Sequence, residues 1–292
     1  MPATRRGYAR DAMRAAQPSR TARRAAAHRV AHQVLEGGAV FSDPLAAAIL
    51  GEDPEAVAAA ARADPDQRPL RLFIAARSRV AEDAVAEAVA RGVRQAVVLG
   101  AGLDTFALRN PHAGAGLRVW EVDHPTTQAW KREQLARAGI AVPAWLSFAP
   151  VDFERDALAA GLAAASFDAG RPAIFLWLGV VPYLTREAID GTLACIAGVP
   201  RSEVVFDYAE PHDRLPAERR AAFAAMTARV AAAGEPWLTH FDPAELATAL
   251  GALGFTDVED LGPADLVRRF AGPRRREGPA GGPHVVRARR AG

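Results

Sequence analysis

The pattern of apolar and polar positions divides the chain into an amino-terminal helical part and a longer part in which strands alternate with helices. In the first part apolar residues recur at helical spacing, which predicts helices over residues 21–35, 44–50 and 70–91. Asp43 or Ser42 is expected to cap the second of these. We therefore predict a helical cap or arm over residues 1–92 and a core over residues 93–292.

Short runs rich in β-branched and apolar residues begin with the core region. They predict strands over residues 96–99, 117–122, 146–151, 173–178 and 203–208. The helical patterns between them are clearest over residues 125–138 and 185–197. Such alternation indicates an α/β fold with a doubly wound, mostly parallel sheet, whose ligand binds beyond the carboxyl ends of the strands.

The end of the chain has a different pattern. A helix is predicted over residues 216–233, and together with its flanks it forms a helical insertion near residues 213–242. Asp242 opens a further helix. The last two predicted strands, residues 255–261 and 284–288, are separated by a long loop rich in glycine and proline. This arrangement predicts an antiparallel hairpin at the edge of the sheet.

A glycine turn follows the first predicted strand, in the sequence QAVVLGAGLD. Gly100 and Gly102 would let the backbone approach a ligand, and Asp123 ends the next strand, where a carboxylate can accept both ribose hydroxyls. A solvated strand-end acid is the alternative for Asp123. The third glycine of the dinucleotide fingerprint is replaced by Thr105. The turn therefore indicates a nucleoside pocket that lacks a pyrophosphate site.

Composition narrows the class of protein. Half of the residues are apolar, yet no uninterrupted apolar run approaches the roughly 20 residues of a membrane span. The single cysteine, Cys195, excludes an internal disulfide framework and a cysteine-based metal site, and its apolar surroundings predict core packing. We expect a cytoplasmic protein with neither a metal site nor a membrane partner.

Charge is distributed unevenly although the net charge is only +2. Residues 1–30 and residues 268–292 each carry eight arginines against one acid, so the middle of the chain is acidic. Basic ends can bind nucleic acid, but aromatic residues do not interleave with these arginines. We expect the arginines to be solvated or paired with the acidic body, and a nucleic-acid partner is disfavoured.

The glycine turn is part of a wider resemblance. LGAGLDTFALR followed by VWEVDHPTTQAWKREQL resembles the S-adenosylmethionine-dependent methyltransferases related to leucine carboxyl methyltransferases, a family with many bacterial and actinobacterial members. Further matches are PSRTA, FSDPLA, AARSRVAED, PVDFERD, WLGVVPYLTREAI and GFTDVEDL, so the resemblance spans roughly residues 18–290. It implies a seven-stranded class I methyltransferase-like sheet and S-adenosylmethionine as the cofactor.

The resemblance assigns cofactor contacts to particular residues. Gly100 and Gly102 would lie under the methionine moiety and Asp123 would bind the ribose. Asp152 and Phe153 match the pair that holds the adenine.

An arginine ahead of the first strand takes the methionine carboxylate in this family. Arg77 is the better match and Arg79 the neighbouring candidate, because a guanidinium can grip a carboxylate with two parallel hydrogen bonds. The alternative interpretation is that both arginines are simply exposed on the surface of a helix. One position departs from the family pattern: Leu178 stands before Gly179 where many members have an acid, so a polar contact from that acid is lost.

Catalytic residues are harder to predict. A carboxylate acceptor is already ionised at neutral pH, whereas a phenol or alcohol would profit from a general base. Tyr183, His124 and His212 are the candidates near the predicted strand ends. Pocket lining, helix capping and an exposed loop position are their respective alternative roles.

These observations predict an S-adenosylmethionine-dependent O- or carboxyl-methyltransferase acting on a small molecule. Three alternatives stay open. They are a protein carboxyl methyltransferase, a non-catalytic cofactor-binding or nucleic-acid-associated protein with a vestigial pocket, and, more distantly, a nicotinamide-dependent dehydrogenase.

Overall fold

A seven-stranded sheet with the strand order β3-β2-β1-β4-β5-β7-β6 organises the protein. The computed structural model describes residues 20–232, 236–270 and 281–291. The strands are β1 (Gln95–Leu99), β2 (Arg118–Asp123), β3 (Leu146–Pro150), β4 (Ile174–Trp177), β5 (Glu203–Ala209), β6 (Phe255–Leu261) and β7 (Pro283–Arg290). Strands β1 to β5 are parallel, whereas β7 runs antiparallel to both β5 and β6. The predicted mostly parallel sheet with a late antiparallel pair is confirmed.

Both faces of the sheet are covered, which explains the nearly continuous apolar runs of its central strands. Along β1, Val97 and Leu99 belong to the core on one face, and Ala96 and Val98 to the core on the other. Every residue of β1, β4 and β5 is buried.

Eleven α-helices lie in the described ranges. They are α1 (Arg20–Leu35), α2 (Ala46–Leu50), α3 (Pro54–Ala63), α4 (Arg68–Ala90), α5 (Phe106–Arg109), α6 (Pro125–Arg137), α7 (Leu158–Ala164), α8 (Arg186–Ala197), α9 (Ala217–Ala232), α10 (Pro243–Ala252) and α11 (Pro263–Phe270). None of the helices in the described part of the chain is long and apolar enough to span a membrane.

Side-chain caps fix the starts of several helices. Asp53, Thr185 and Asp242 each accept a hydrogen bond from a backbone N–H in the first turn of α3, α8 and α10. The predicted capping of α2 by Asp43 or Ser42 is wrong. Leu45 is the residue that precedes this helix and no side chain caps it, because the Asp43 carboxylate is buried in contacts with other elements.

Candidate functional site

The residues predicted to bind a nucleoside gather at the carboxyl ends of the parallel strands. Gly100 directly follows β1, and Asp123 is the last residue of β2. Gly179, which follows the departure from the family pattern at Leu178, comes two residues after β4. Because neighbouring parallel strands end at the same edge of the sheet, these positions lie side by side there.

The glycine turn is held in a conformation that only glycine adopts easily. Gly100 and Gly102 have φ angles of +63° and +46°, in the left-handed region. A Cβ atom on Gly100 would overlap the side chain of Val180, and one on Gly102 would lie 3.0 Å from Cβ of Ala22 in α1. The turn is therefore packed between the segment after β4 and the first helix.

The carboxylate of Asp123 is turned toward the glycine turn. Its two oxygens accept hydrogen bonds from the backbone N–H groups of Gly102 and His124, the latter at 2.7 Å. Burial raises the pKa of the Asp123 carboxyl, and these two N–H donors oppose the rise. A carboxylate has about four acceptor positions, so capacity for two hydroxyl donors is left.

The side chain of Arg77 on α4 also lies at the carboxyl ends of the strands, beside β5 and the residues that follow β4. Its Nη1 lies 2.8 Å from Oδ2 of Asp207 on β5, and the two side chains are 12% and 6% exposed. A Cβ atom on Gly179 would lie 2.6 Å from Nη2 of Arg77, so the absence of a side chain at Gly179 makes room for the guanidinium. Within the described residues the buried Nε of Arg77 has no hydrogen-bond partner.

Arg79 occupies a different environment. Its side chain is 51% exposed and pairs with Asp83 one turn further along the same helix, at 2.7 Å. The structure thus separates the two candidate arginines: Arg77 is at the strand ends, and Arg79 is on the surface of α4.

Asp207 is a candidate site residue that was not predicted from the sequence. Its Oδ1 accepts a hydrogen bond from the Gly179 N–H at 2.5 Å, while its Oδ2 pairs with Arg77. A carboxylate from β5 therefore lies beside the position where Leu178 replaces the acid of many family members. The available signal was another acid near the end of a predicted strand, in the sequence VVFDYA.

Asp152 and Phe153 lie just after β3, from which Val151 separates them. The Val151 N–H donates to the Asp123 carbonyl at 2.9 Å, which ties this segment to the end of β2. The ring of Phe153 stacks on Trp177 with a centroid distance of 6.5 Å. Oδ1 of Asp152 accepts the Glu154 N–H at 3.1 Å.

His124 and His212, two of the predicted catalytic candidates, are hydrogen-bonded to the backbone. Nδ1 of His124 accepts the Thr126 N–H at 3.2 Å, so this ring caps α6. His212 is exposed, and its Nε2 lies 3.2 Å from the Arg220 carbonyl oxygen.

Tyr183 belongs to a group of rings that we call the aromatic cluster. Its members are Tyr183, His212, Phe223, Trp237 and His240, whose neighbouring ring centroids are 5.7–6.4 Å apart. Trp237 and His240 are held there by the backbone, since the Leu238 N–H donates to the Pro182 carbonyl at 2.6 Å.

A buried ion pair is hydrogen-bonded to the loop that carries the glycine turn. Lys131, the single lysine of the chain, lies 2.6 Å from Glu121 and donates to the Asp104 carbonyl at 2.7 Å. Burial raises the pKa of Glu121 to about 7, an effect that Lys131 opposes. This pair therefore connects β2 and α6 to the loop that carries Gly100 and Gly102.

A second set of contacts joins the first helix to the same loop. Arg29 on α1 donates to the Leu103 carbonyl at 2.6 Å and to Asp43 at 2.8 Å. The hydroxyl of Thr105 donates to the other oxygen of Asp43 at 2.6 Å. Burial disfavours the Asp43 carboxylate, but Arg29 and Arg109 more than offset this and hold its pKa below the ordinary value.

Comparison with known proteins assigns the family. A sequence model described as leucine carboxyl methyltransferase matches residues 22–197, which is more than half of the chain. The protein belongs to the leucine carboxyl methyltransferase family. The resemblance found in the glycine turn and its flanking motifs is thereby confirmed.

Relatives in this family have provisional names. YktD of Bacillus subtilis (strain 168), provisionally named an S-adenosyl-L-methionine-dependent methyltransferase, is 34% identical over 193 residues, which cover 65% of this chain and 63% of YktD. A Mycolicibacterium paratuberculosis (strain ATCC BAA-968 / K-10) protein of the same provisional name is 40% identical over 126 residues, 43% of this chain and 40% of its own. The matches thus span less than two thirds of these relatives' length.

Solved structures agree on the fold. A protein from Thermobifida fusca YX, provisionally named a methyltransferase, has a TM-score of 0.57 at 18% identity, covering 96% of this chain and 98% of its own. A DUF574 family protein from Streptomyces avermitilis MA-4680 has a TM-score of 0.56 at 18% identity, covering 94% and 99%. The predicted class I methyltransferase-like fold is confirmed.

Proposed function

We propose that the protein binds S-adenosylmethionine and transfers its methyl group to an oxygen atom of a small-molecule acceptor. The observation that carries the cofactor part of this proposal is the buried pair of Arg77 and Asp207 beside Gly179 at the strand ends. A buried guanidinium beside Gly179, whose Nε has no partner among the described residues, is a group prepared for an anionic ligand.

The residues fit the methionine end of the cofactor. Arg77 would bind the methionine carboxylate through the donors that Asp207 leaves free. Asp207 would hold the guanidinium in place. It would also supply, for the methionine ammonium, the carboxylate that many family members have at the position of Leu178. The family departure at Leu178 is then compensated by the neighbouring strand.

The residues also fit the nucleoside end. Asp123 would accept the ribose hydroxyls, and Asp152 with Phe153 would hold the adenine. The alternative of a dinucleotide cofactor loses support. The Thr105 hydroxyl, which stands where the fingerprint has its third glycine, is buried and donates to Asp43.

The chemistry that this arrangement serves is an in-line displacement. When bound, the cofactor supplies an electrophilic methyl group on a positively charged sulfur. The chain's contribution is to fix the methyl group against the acceptor oxygen and to exclude water, because positioning provides most of the rate enhancement of such a reaction. Val180 and Ala22, which pack on the glycine turn, help to exclude water there.

Calorimetric titration with S-adenosylhomocysteine, the demethylated cofactor, tests the proposal. Replacing Arg77 with Met removes a charged hydrogen-bond donor, and we expect about 10- to 150-fold weaker binding, from the roughly 1.5–3 kcal/mol of such a bond. Arg79→Met, the same change on the exposed face of α4, should leave the affinity unchanged. Failure of the wild-type protein to bind at high micromolar concentration contradicts the proposal.

A further inference from the structure

The aromatic cluster contains two buried polar atoms that have no hydrogen-bond partner in the described ranges. They are Nε1 of Trp237 and Nε2 of His240. Buried donors and acceptors are nearly always paired, because an unmade hydrogen bond at such an atom costs free energy. Two such atoms on rings 6.0 Å apart therefore point to a ligand that brings the missing partners.

The aromatic cluster is next to the proposed methyl donor site along the chain and in space. Val180 packs on Gly100, and the Tyr183 N–H donates to the Val180 carbonyl at 2.9 Å. The hydrogen bond from Leu238 to Pro182 then places Trp237 and His240 against this segment. On the other side, the Phe241 N–H donates at 3.1 Å to Ala209, two residues after Asp207.

The side chains of the aromatic cluster suit an uncharged ligand. Burial lowers the pKa of His240, so its imidazole is neutral at pH 7 and one ring nitrogen can accept a proton. Arg220, whose backbone carbonyl contacts His212, donates from its guanidinium to the Leu215 and Asp213 carbonyl oxygens. The Arg220 guanidinium is therefore already engaged by backbone carbonyls, and it is not the free cation that a bound carboxylate would need.

We propose that the aromatic cluster is the acceptor site and that it binds an aromatic hydroxyl compound, with His240 Nε2 as the group that takes the hydroxyl proton. The inference rests on the proposed function and makes it more specific. Rings of the cluster pack on the acceptor ring, and the Trp237 Nε1–H donates to the acceptor oxygen. This proposal favours a phenol over a carboxylate as the acceptor. It also adds His240 to the catalytic candidates that the sequence suggested.

The reaction step balances without a further reactant. The acceptor oxygen forms a bond to the methyl carbon, and the carbon–sulfur bond breaks with its electron pair moving to sulfur. The sulfonium becomes a neutral thioether, and the hydroxyl proton passes to His240, which becomes an imidazolium and later releases the proton to solvent.

Matched acceptors with the same ring system test this assignment. With S-adenosylmethionine labelled in its methyl group, we expect transfer to 2-naphthol and none to 2-naphthoic acid. Calorimetry should show 2-naphthol binding to the complex with S-adenosylhomocysteine, with weaker binding in Trp237→Phe. Preference for the acid, or neither binding nor transfer for naphthol in a protein that binds S-adenosylhomocysteine, overturns the inference but leaves the proposed function intact.

A comparison of two acceptors that differ in acidity tests the role of His240. His240→Asn should lower turnover of 2-naphthol about 100-fold or more, the range of general base catalysis, and leave S-adenosylhomocysteine affinity unchanged. A nitro-substituted naphthol that is already ionised needs no base, so its turnover should fall far less. His112→Asn, in the turn that leads into β2, is the control. Equal losses for both naphthols would assign His240 a merely structural role.

Discussion

Gly100 and Gly37 have almost the same backbone angle, with φ of +63° and +62°, in different surroundings. A Cβ atom on Gly37 would meet nothing within 4 Å, whereas one on Gly100 would overlap Val180. Gly37→Ala should therefore cost about 1–2 kcal/mol of folding free energy through backbone strain alone. Gly100→Ala should cost about 1–3 kcal/mol more through overpacking. Denaturant unfolding of both variants measures the difference.

A third variant separates contact from backbone strain. In a Val180→Ala background the overlapping methyl groups are gone. Adding Gly100→Ala to that background should therefore cost little more than Gly37→Ala costs in the wild type. Equal destabilisation by the two glycine variants would mean that Val180 does not pack tightly on the turn.

Individual site residues differed in how well the sequence predicted them. The positions of Gly100 and Asp123 at the strand ends could be predicted because a turn and a strand end restrict where a ligand can lie. Arg77 and Arg79 are two positions apart on one helix, so only the packing of α4 against the strand ends distinguishes them. Asp207 was missed because its role depends on a pair between β5 and α4, which are distant in sequence.

At the scale of elements, the buried pair of Lys131 and Glu121 connects α6 to β2. Lys131→Met leaves a buried carboxylate without its cation, so we expect a loss of about 3–5 kcal/mol in the free energy of unfolding at pH 8. Adding Glu121→Leu removes the uncompensated charge and should restore most of that loss. Denaturant unfolding of the single and double variants is the measurement, and a double variant as unstable as the single one contradicts this account.

The antiparallel strands carry a histidine whose charge depends on pH. His284 on β7 lies 2.8 Å from Asp260 on β6 and 3.6 Å from Glu210, and its ring stacks on Tyr208. Burial lowers the pKa of His284, but the two carboxylates more than offset this and raise it above the ordinary value.

Because the folded pKa of His284 exceeds the unfolded one, its charged contacts stabilise the fold fully below about pH 6.5. That stabilisation is lost as the pH rises through the folded pKa. His284→Gln should therefore be most destabilising near pH 5.5, with a smaller effect near pH 9. Urea unfolding across this range tests the sign, and His112→Gln, which removes a ring whose pKa burial lowers, should not share this pH dependence. A larger effect at the alkaline end would show that the carboxylates do not hold a charged ring.

Element prediction succeeded where the apolar pattern was strong. The central strands and the longer helices α1, α4, α6 and α8 were predicted to within about two residues. Helices α3 and α7 were missed because alanine occupies most of their positions, which removes the contrast between faces. Helix α11 was missed because it lies within a segment rich in glycine and proline that predicted only a loop.

At the scale of the whole molecule, the first helix and the core meet at the glycine turn. Arg29 binds the Leu103 carbonyl, and Ala22 packs over Gly102. The sequence predicted a helical cap and a parallel sheet separately. How the first helix covers the turn could not be predicted, since it depends on a buried network through Asp43 that joins three elements distant in sequence.

The central claim is that one edge of the sheet binds S-adenosylmethionine through Arg77 and Asp123. A crystal structure with S-adenosylhomocysteine tests it most directly. We predict that the methionine carboxylate will contact the guanidinium of Arg77, beside Asp207, and that the ribose hydroxyls will donate to Asp123. A ligand bound elsewhere, or bound at this edge with its carboxylate away from Arg77, would contradict the account.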